Sequence, residues 1–448
     1  MLDIHLIREK TELVRQAMQK RQSEVSVDEL MEFDQKWRES KSMEDQLRNK
    51  RNKITIEIKE AKKAGKSIEE LLKQARELPR EIAKTEVETG SFLERRDFLL
   101  QRLPNIPHES VPSGGEENFQ IVKESGKKPA FDFVPKQHHE LANALEMLDM
   151  TRAAKIAGAG FFVFRKDLAR LERALINFFL DCHRKNGLEE VSVPFLVNEK
   201  TAFGTGNLPK FEKDLYKTTD GFYLIPTAEV PVTNLFANET LEEKDLPKKF
   251  CSFTACFRTE AGKHGAETPG IFRLHQFDKV EMVFICTPEE SWKLHEEMRG
   301  YGEQLLEKLG LHYRTKLLAS GDMGIASAKT YDLEVYAPAM DKYLECSSIS
   351  NCTDFQGRRM NTKFKRQNET IFCHTLNGSG LATSRLMIAL LETYQTESGN
   401  IKIPKVLQPY MDGQTEIGKH VSIATPKAKA KKPAKKTVKK TVKSKAKK

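Results

Sequence analysis

The sequence predicts an α+β fold, in which a mainly antiparallel β-sheet is flanked by helices and follows an N-terminal antiparallel α-helical coiled-coil arm. A charged N-terminal region has apolar residues at coiled-coil spacing, and a proline- and glycine-rich stretch separates it from the remainder. Aromatic and β-branched clusters then follow one another along the chain. Many strands interrupted by only a few helices favour this architecture over a doubly wound parallel sheet.

Length and composition restrict the class of protein. Of the 448 residues 39% are hydrophobic, enough for two or three folded units. No run of about 20 apolar residues occurs, and the first residues, MLDIHLIREK, are charged, so neither a membrane span nor a secretory signal is predicted. The seven cysteines are scattered without a C-x-x-C pair, which disfavours a disulfide framework and a zinc ribbon. We expect a soluble cytoplasmic protein with reduced thiols and no membrane partner.

The net charge of +10 is distributed unevenly. Twelve lysines and no acidic residue lie in residues 427–448, so without those twelve the remaining chain carries about −2. A segment of Lys, Ala and Pro cannot bury apolar surface, and we predict that residues 421–448 form a disordered tail. The tail either adds sequence-independent affinity for nucleic acid, with a steep salt dependence, or is an inert appendage.

The arm is predicted over residues 27–103. Steps of alternately three and four residues meet mostly apolar positions over 30–61 and again over 68–103, which is typical of a coiled-coil seam. A glycine-containing turn lies between them, with Ser67 as a predicted N-cap and Glu70 three residues later. Two helices joined by a short turn must fold back on each other, which makes the arm a hairpin.

The length of the arm indicates a large partner. At about 1.5 Å per residue, a helix of some 35 residues spans roughly 50 Å, far more than packing on a core requires. Pro79 removes one backbone donor from the second helix and predicts a kink. A mixed-charge coiled coil without a ligand is the alternative reading of the arm. Its candidate phosphate contacts, suited to recognition of RNA shape, are Arg48, Lys50, Arg51, Lys53 and Lys59.

The remaining elements belong to the predicted sheet. The segment PNIPHESVPSGGEEN (104–118) marks a boundary, and we predict an N-terminal domain over 1–112 and a second domain over 113–420. Helical spacing predicts helices over 167–186, with Asp167 as N-cap and Gly187 as the stop, and over 289–310. The predicted strands are FFVF (161–164), EEVSVPFLV (189–197), GFYLIP (221–226), FCSFTACF (250–257) and KVEMVFIC (279–286).

The stretch FRTEAGKHGAETPGIFRLHQFDKVE (257–281) predicts two strands around a loop. Residues of equal parity share one face of a strand, so Arg258 and Glu260 lie together. On the return strand the same face carries Arg273, His275, Phe277, Lys279 and Glu281. A solvated hairpin face could carry such charges. An aromatic ring among arginines, however, suits a nucleotide, whose base needs a plane and whose phosphates need cations. The pattern therefore predicts ATP bound on the sheet.

These residues carry a family resemblance. F-R-x-E (257–260), a loop, and R-x-x-x-F-x-x-x-E (273–281) resemble motif 2 of class II aminoacyl-tRNA synthetases. LNGSGLATSR (376–385) is similar to motif 3, and EEVSVPFLV (189–197) to motif 1. Over about residues 1–418 the chain resembles the seryl-tRNA synthetase family in particular, through its N-terminal hairpin and the segments GTGNLPKF (204–211), PTAEVP (226–231), HQFDKVE (275–281) and ECSSISNCTDFQGRR (345–359).

The resemblance implies a two-step reaction. L-serine is activated by ATP to seryl-adenylate and then transferred to the 3′ end of tRNA-Ser, with tRNA-Sec as a further candidate. Arg258, Glu260 and Arg385 are the implied catalytic residues, because the first step needs positioning and charge neutralisation more than proton transfer. Glu345 and Ser348 are the implied Mg²⁺ ligands. The implied ATP contacts are Arg258, Thr259, Glu260, Arg273, Leu274, His275, Gln276, Phe277, Glu345, Cys346, Ser347, Ser348 and Arg385.

The resemblance also implies a serine pocket and a dimer. Glu281 is the favoured acceptor for the serine hydroxyl or amine, whereas Ser379 is equally readable as a turn residue. Pro194 occupies the position that the family places at its dimer interface, and the arm of one subunit is expected to hold tRNA that enters the other subunit's site. His264 lies in the motif 2 loop, outside the catalytic set. The implied serine contacts are Thr227, Ala228, Glu229, Arg258, Glu281 and Ser379.

Two other classes of function compete with this one. A non-catalytic RNA-binding relative would not need phosphate and metal ligands together, and the retained Arg258, Glu345 and Arg385 argue against it. An enzyme that charges a carrier protein with an amino acid should lack the long arm. An ATP-dependent serine ligase therefore accounts for more of the sequence than either alternative.

Overall fold

The computed structural model describes residues 1–260 and 270–418. His264, most of the motif 2 loop and the lysine-rich tail lie outside the described residues. The helices are α1 (Ile4–Glu9), α2 (Thr11–Lys20), α3 (Val27–Lys63), α4 (Glu69–Arg102), α5 (His138–Ala144), α6 (Met150–Ala157), α7 (Lys166–Lys185), α8 (Glu199–Thr205), α9 (Glu229–Thr233), α10 (Ser291–Lys308), α11 (Phe355–Met360) and α12 (Thr383–Thr393). The strands are β1 (Gln120–Ser125), β2 (Glu189–Glu190), β3 (Leu196–Val197), β4 (Tyr223–Leu224), β5 (Thr240–Glu242), β6 (Lys248–Phe257), β7 (Gln276–Cys286), β8 (Tyr313–Leu317), β9 (Lys329–Ala337), β10 (Lys342–Asn351), β11 (Lys363–Arg366), β12 (Glu369–Phe372), β13 (His374–Ala382), β14 (Ile401–Lys402) and β15 (Glu416–Ile417).

Helices α3 and α4 confirm the predicted arm. They contain 37 and 34 residues and lie side by side in opposite directions, since early residues of α3 contact late residues of α4. The hydroxyl groups of Ser40 and Thr89, for example, are 2.7 Å apart, and the rings of Phe33 and Phe92 pack with centroids 6.4 Å apart. The alternating three- and four-residue spacing read from the sequence is therefore the seam between the two helices.

The start of α4 differs from the sequence prediction, and the position of Pro79 within α4 refines it. Ser67 is not an N-cap, because α4 begins only at Glu69, after Ile68, and no side chain caps it. Acidic residues at the first two positions of α4 instead face the positive end of the helix dipole. Pro79 lies inside α4 and the helix continues on both sides of it, so this proline does not end the helix.

An eight-stranded sheet forms the centre of the second half of the chain. Its strand order is β1-β8-β9-β10-β13-β7-β6-β2, and every neighbouring pair is antiparallel except the parallel pair of β2 and β6 at one edge. Helices α7, α10 and α12 bury their apolar sides against the sheet in one hydrophobic cluster, to which they contribute Phe179, Met298 and Leu390. The predicted α+β architecture is confirmed.

The strand predictions are correct for segments that pair with a neighbouring strand along their whole length. Segments 250–257 and 279–286 are β6 and β7, paired along their length. Segment 189–197 forms strand only at its two ends, and 221–226 contributes only β4. The prediction for 161–164 was wrong, because only one residue of that run makes a single β-bridge. Its apolar character reflects packing against the core, where two of its rings lie 4.2 Å apart.

The two predicted helices are α7 and α10, with one error in the capping. Arg165, not Asp167, occupies the N-cap position of α7. Asp167 lies in the first turn and accepts hydrogen bonds from Arg170 (2.8 Å) and Gln414 (3.0 Å). Gly187 follows the helix with φ of +86°, the left-handed conformation that favours glycine after a helix end, so the predicted stop is confirmed.

The N-terminal helices pack on the sheet domain through the base of the arm. Ile7, Leu30 and Leu103 share a hydrophobic cluster with Phe355, on the far side of the boundary. The buried guanidinium group of Arg21 donates to three carbonyl oxygens in residues 323–327. The position of the predicted domain boundary near residue 112 stays a prediction.

Two sequence expectations concern bilayers and thiols. Within residues 1–260 and 270–418, none of the helices has an apolar stretch long enough to cross a bilayer. All seven cysteines are buried as free thiols.

Candidate active site

Strands β6 and β7 bring the two halves of motif 2 together. Their register places Cys256 opposite Phe277, and just beyond β6 the backbone N–H of Arg258 donates to the carbonyl oxygen of His275 (2.9 Å). On the other side of β7, strand β13 places Ser379 opposite Glu281, and β10 lies next to β13. Segments far apart in sequence therefore meet on one face of the sheet.

These segments form a cleft that we call the central cleft. It brings together most of the predicted site residues and five that the sequence did not assign: Phe272, Lys279, Asn377, Ala382 and Ser384. The predicted residues that line it are Thr227, Glu229, Arg258, Glu260, Arg273, Leu274, Phe277, Glu345, Cys346, Ser347, Ser348, Ser379 and Arg385.

Two arginines in the central cleft lie over aromatic rings. The guanidinium carbon of Arg258 is 5.1 Å from the centroid of Phe277. That of Arg385 is 5.5 Å from the centroid of Phe272, and its Nη1 contacts the carboxylate of Glu345 (3.3 Å) and the backbone carbonyl of the same residue (3.0 Å). Planar cations next to rings can bind phosphate and cover a flat base at once.

Glu260 sits at the edge of the segment that is not described. Its φ of +51° lies in the left-handed region, which costs a residue with a side chain about 1 kcal/mol and is common at functional sites. Its carboxylate is 3.9 Å from Nε of Arg273 across the mouth of the loop. The left-handed conformation thus occurs at a residue that the sequence assigned to nucleotide binding.

A buried polar cluster lies behind the floor of the central cleft, around the fully buried side chain of Glu281. Its Oε2 forms an ion pair with Lys279 Nζ (2.5 Å) and accepts hydrogen bonds from Thr227 Oγ1 (3.1 Å) and Ser379 Oγ (3.3 Å). Among the described residues, no group donates to its Oε1. A buried acceptor without a donor is costly, so this oxygen is suited to a donor brought by a ligand.

Glu229 is the second carboxylate of the site. Its Oε1 accepts from Gln356 Nε2 (2.7 Å) and its Oε2 from Asn377 Nδ2 (3.2 Å). Burial, and after it the charge of Glu281, raises the pKa of Glu229 to about 7. A cationic ligand group placed next to Glu229 would therefore stabilise its ionised form near neutral pH.

The residues implied as Mg²⁺ ligands fit a hard cation. In the pairing of β9 with β10, Ser348 lies opposite Asp332, which is buried and has no donor to its Oδ1 within the described part of the chain. Burial, and after it the charge of Glu345, raises the pKa of Asp332 well above its usual value. The described residues contain no group of three or more His, Cys, Asp or Glu side chains arranged to hold a metal. A cation here would need phosphate oxygens besides Glu345 and Ser348.

Besides Glu281, which lies behind the floor, four predicted contacts do not line the central cleft. Thr259 Oγ1 donates to the carbonyl oxygen of Lys213 (2.7 Å), and Ala228 is buried in a hydrophobic cluster under the sheet. Gln276 is exposed at the start of β7. His275 Nδ1 lies 3.0 Å from the carbonyl oxygen of Arg258, and its ring packs on Phe161. Their roles stay predictions, with less geometric support than the others.

The alternation of side chains along a strand explains which of the residues 273–281 line the cleft and which do not. Strand β7 begins at Gln276, so residues 273–275 do not alternate, and Arg273 and Leu274 both line the cleft. Within the strand, alternation correctly placed Lys279 on the face of Phe277, although the sequence assigned Lys279 no role. The sequence carried no signal for Phe272, Gln356 or Asn377.

The chain is similar to proteins of one family along most of its length. Residues 1–107 match the Seryl-tRNA synthetase N-terminal domain, and residues 210–394 match the tRNA synthetase class II core domain (G, H, P, S and T). A serine--tRNA ligase from Desulfosudis oleivorans is 48% identical over 417 residues, which cover 92% of this chain and 98% of the relative.

Two solved structures share the fold at useful sequence identity. Seryl-tRNA synthetase from Pyrococcus horikoshii, complexed with ATP, has a TM-score of 0.87 and 39% identity, with 93% of this chain and 99% of that chain covered. The cytoplasmic serine-tRNA ligase from Naegleria fowleri, in complex with AMP, has a TM-score of 0.81 and 33% identity, with 93% and 98% covered.

Proposed function

The chain belongs to the seryl-tRNA synthetase family, and we propose that the central cleft is its active site, with Arg258, Glu260 and Arg385 as catalytic residues. The enzyme is an ATP-dependent serine–tRNA ligase that aminoacylates tRNA-Ser. One observation carries the assignment of the site. Arg258 and Arg385 lie over aromatic rings in the same cleft, which Glu229 lines and behind whose floor the carboxylate of Glu281 is buried.

Activation of serine needs little proton transfer. The serine carboxylate attacks the α-phosphorus of ATP in line, the new P–O bond forms, and pyrophosphate leaves with the electrons of the broken bond. Arg258 neutralises the α-phosphate and the attacking carboxylate, while Arg385 meets the γ-phosphate. Phe277 offers a face to the adenine, and Phe272, beneath Arg385, is a second aromatic surface at the same ligand. Positioning and charge neutralisation supply the rate enhancement.

Selection of serine falls to the buried polar cluster. The unpaired Oε1 of Glu281 accepts the hydroxyl group, and Thr227 and Ser379 orient the same carboxylate through its Oε2. Alanine would leave this oxygen unsatisfied, and threonine would bring an extra methyl group into a closed space.

Mg²⁺ is the proposed cation. Glu345 and Ser348 would hold it together with phosphate oxygens, and it would neutralise the charge that develops on the departing pyrophosphate. The unsatisfied Oδ1 of Asp332 next to Ser348 supports a cation at this place.

The larger partners are also proposals. The arm is proposed to hold tRNA-Ser, and tRNA-Sec remains a further candidate. A homodimer is supported by exposed apolar side chains around motif 1: Phe195 (40% exposed), Leu196 (48%) and Phe222 (42%). The cytoplasm is the proposed compartment.

The lysine-rich tail is proposed to add nonspecific affinity for nucleic acid. Truncation after Thr425 should reduce the salt dependence of binding to unrelated RNA. An unchanged salt slope would show that the tail is inert.

The amino acid specificity can be tested by ATP–pyrophosphate exchange with each of the standard amino acids. We expect exchange with serine alone, because only serine combines a small side chain with a donor for Glu281. Exchange driven equally by alanine or threonine would contradict the assignment of the pocket. A Glu281→Gln variant should lose serine-dependent exchange by roughly 100-fold or more, since the buried acceptor pair is replaced.

A further inference from the structure

Gln356 is a buried side chain whose amide orientation is fixed. It lies on α11, is 1% exposed, and donates through Nε2 to Glu229 Oε1 (2.7 Å) and to the carbonyl oxygen of Thr205 (3.1 Å). Its Oε1 accepts from Thr375 Oγ1 (2.6 Å). A flipped amide would place its oxygen against two acceptors, so the NH₂ group must face Glu229.

The two carboxylates of the pocket differ in how their charge is balanced. Lys279 places a full positive charge 2.5 Å from Glu281. Both hydrogen-bond donors to Glu229 are neutral amides, from Gln356 and Asn377. Glu229 therefore keeps a negative charge that its direct donors do not cancel, and a ligand ammonium group can pair with it.

We propose that Gln356 is a positioning residue for serine: its fixed amide holds the Glu229 carboxylate in the orientation that receives the serine ammonium group. The inference rests on the proposed function of the central cleft and deepens it by assigning the ammonium to Glu229 and the hydroxyl to Glu281. Gln356 touches neither serine nor ATP in this arrangement and acts through Glu229.

The charges around Glu229 set the direction of a pH effect. Glu281 raises the pKa of Glu229 in the same direction as burial, while the hydrogen bond from Gln356 and the charges of Lys279 and Arg258 lower it. The neighbouring thiol of Cys352 is kept protonated, because burial raises its pKa well above the usual value. Removal of the Gln356 donor should therefore raise the pKa of Glu229 above about 7. Less carboxylate is then present at neutral pH, and the acid side of the profile for serine kcat/KM moves to higher pH.

The experiment compares Gln356→Leu and Gln356→Glu with the full-length wild type in ATP–pyrophosphate exchange. Gln356→Leu should raise the serine KM by roughly 10- to 100-fold, as expected when a charged group loses a buried donor. The ATP KM should stay within about 2-fold, because Gln356 is not among the residues that line the central cleft. In Gln356→Glu, the serine KM should worsen as the pH rises, because the new carboxylate repels Glu229 once their shared proton is lost.

Gln395→Leu is a matched control. Gln395 is also buried, at 6% exposure, and makes hydrogen bonds to Lys136 and to the carbonyl oxygen of Glu392, away from the central cleft. Its replacement should cost stability without changing the serine KM. This control separates a general loss of packing from a specific loss of serine binding.

The outcomes separate the inference from the function on which it rests. A wild type without serine-dependent exchange would contradict the proposed function itself. A serine-dependent wild type whose Gln356 variants change the serine and ATP KM alike, or neither, would overturn the positioning role. An acid limb that stays at the same pH in Gln356→Leu would do so as well.

Discussion

The arm and the central cleft are built from the same charged residue types but place them in different surroundings. Along the arm, Arg48 pairs with Glu86 while both side chains remain nearly half exposed, at 47% and 43%. In the cleft, Lys279 and Glu281 pair with exposures of 6% and 0%. Water screens the first pair, so it is worth at most about 1 kcal/mol. Next to the second pair, the burial of Glu229, and after it the charge of Glu281, raises the pKa of Glu229, and Oε1 of Glu281 has no donor among the described residues.

The base of the arm is where the two environments meet. Asp34 of α3 is fully buried and pairs with Arg8 (2.7 Å) and Arg38 (3.1 Å). Leu30, Leu99 and Leu103 pack there with residues of the sheet domain. The base therefore belongs energetically with the core, whereas the exposed part beyond it can be altered separately.

The largest expected effect comes from removing only this outer part. A chain in which residues 41–88 are replaced by a short glycine linker should lose tRNA charging by roughly 1000-fold or more, because the phosphate contacts of the arm are gone. The linker can be short, since Ser40 and Thr89 already touch. Serine-dependent pyrophosphate exchange should stay within about 2-fold of wild type, measured on the same preparation.

A removal of 27–103 would be a weaker test, because it deletes Leu30, Leu99 and Leu103 and exposes their partners in the core. Equal loss of exchange and charging in the 41–88 replacement would show that the arm and the cleft are not separable units.

Arg258→Ala should reduce serine-dependent exchange by roughly 100- to 1000-fold, since the cation proposed to lie at the reacting phosphate is lost. Arg48→Ala is the matched control in the arm and should leave exchange unchanged, because its charge is exposed to water. Near-normal exchange in Arg258→Ala would remove the basis for the active-site assignment. Arg258→Lys, which keeps the charge without the planar fork, should fall between the two.

A buried carboxyl group outside the cleft, that of Glu172, tests how much the ionisation of a buried side chain lowers the free energy of unfolding. Burial, and after it the charge of Asp278, raises the pKa of Glu172 to about 7. A raised carboxyl pKa means that the folded state favours the protonated form, so this contribution is present at acidic pH and is lost as the pH rises through about 7. Glu172→Gln keeps the acceptor for Thr383 (3.0 Å) and avoids the ionisation.

In urea unfolding, the Glu172→Gln variant should be more stable than wild type at pH 8.5 by up to about 3 kcal/mol, with a smaller difference at pH 5.5. Asp278, whose pKa burial raises to about 6, is common to both proteins and does not contribute directly to the difference. An equal difference at both pH values would mean that Glu172 does not ionise in the folded protein.

The smallest effect is expected in the arm. A double-mutant cycle on Arg48 and Glu86 should give a coupling energy below about 1 kcal/mol that disappears in high salt. A coupling as large as that of a buried pair would show that the arm is less hydrated than its exposure indicates, and would weaken the contrast with the cleft.

Helices and strands with a regular residue period were easier to predict from sequence than the residues at their ends. The arm and strands β6 and β7 were identified correctly, because helix and strand periods place chain neighbours on known faces. Most residues that line the cleft were named through the family resemblance, and their roles stay predictions. Alternation failed at residues 273–275, where the chain has not yet entered a strand. Ser67 and Asp167 were misassigned as caps, because a capping residue type does not specify where a helix begins.

The residue sequence already specified the long helical hairpin, the antiparallel sheet and the charged and aromatic side chains that line the central cleft. These features depend on spacings of two to seven residues, which are local. The contact of Gln356 with Glu229 joins residues 127 positions apart, and that of Thr227 with Glu281 joins residues 54 apart. Such contacts, and the raised pKa of Glu229, come from the packing of separate strands and helices that excludes water, and no local spacing encodes them.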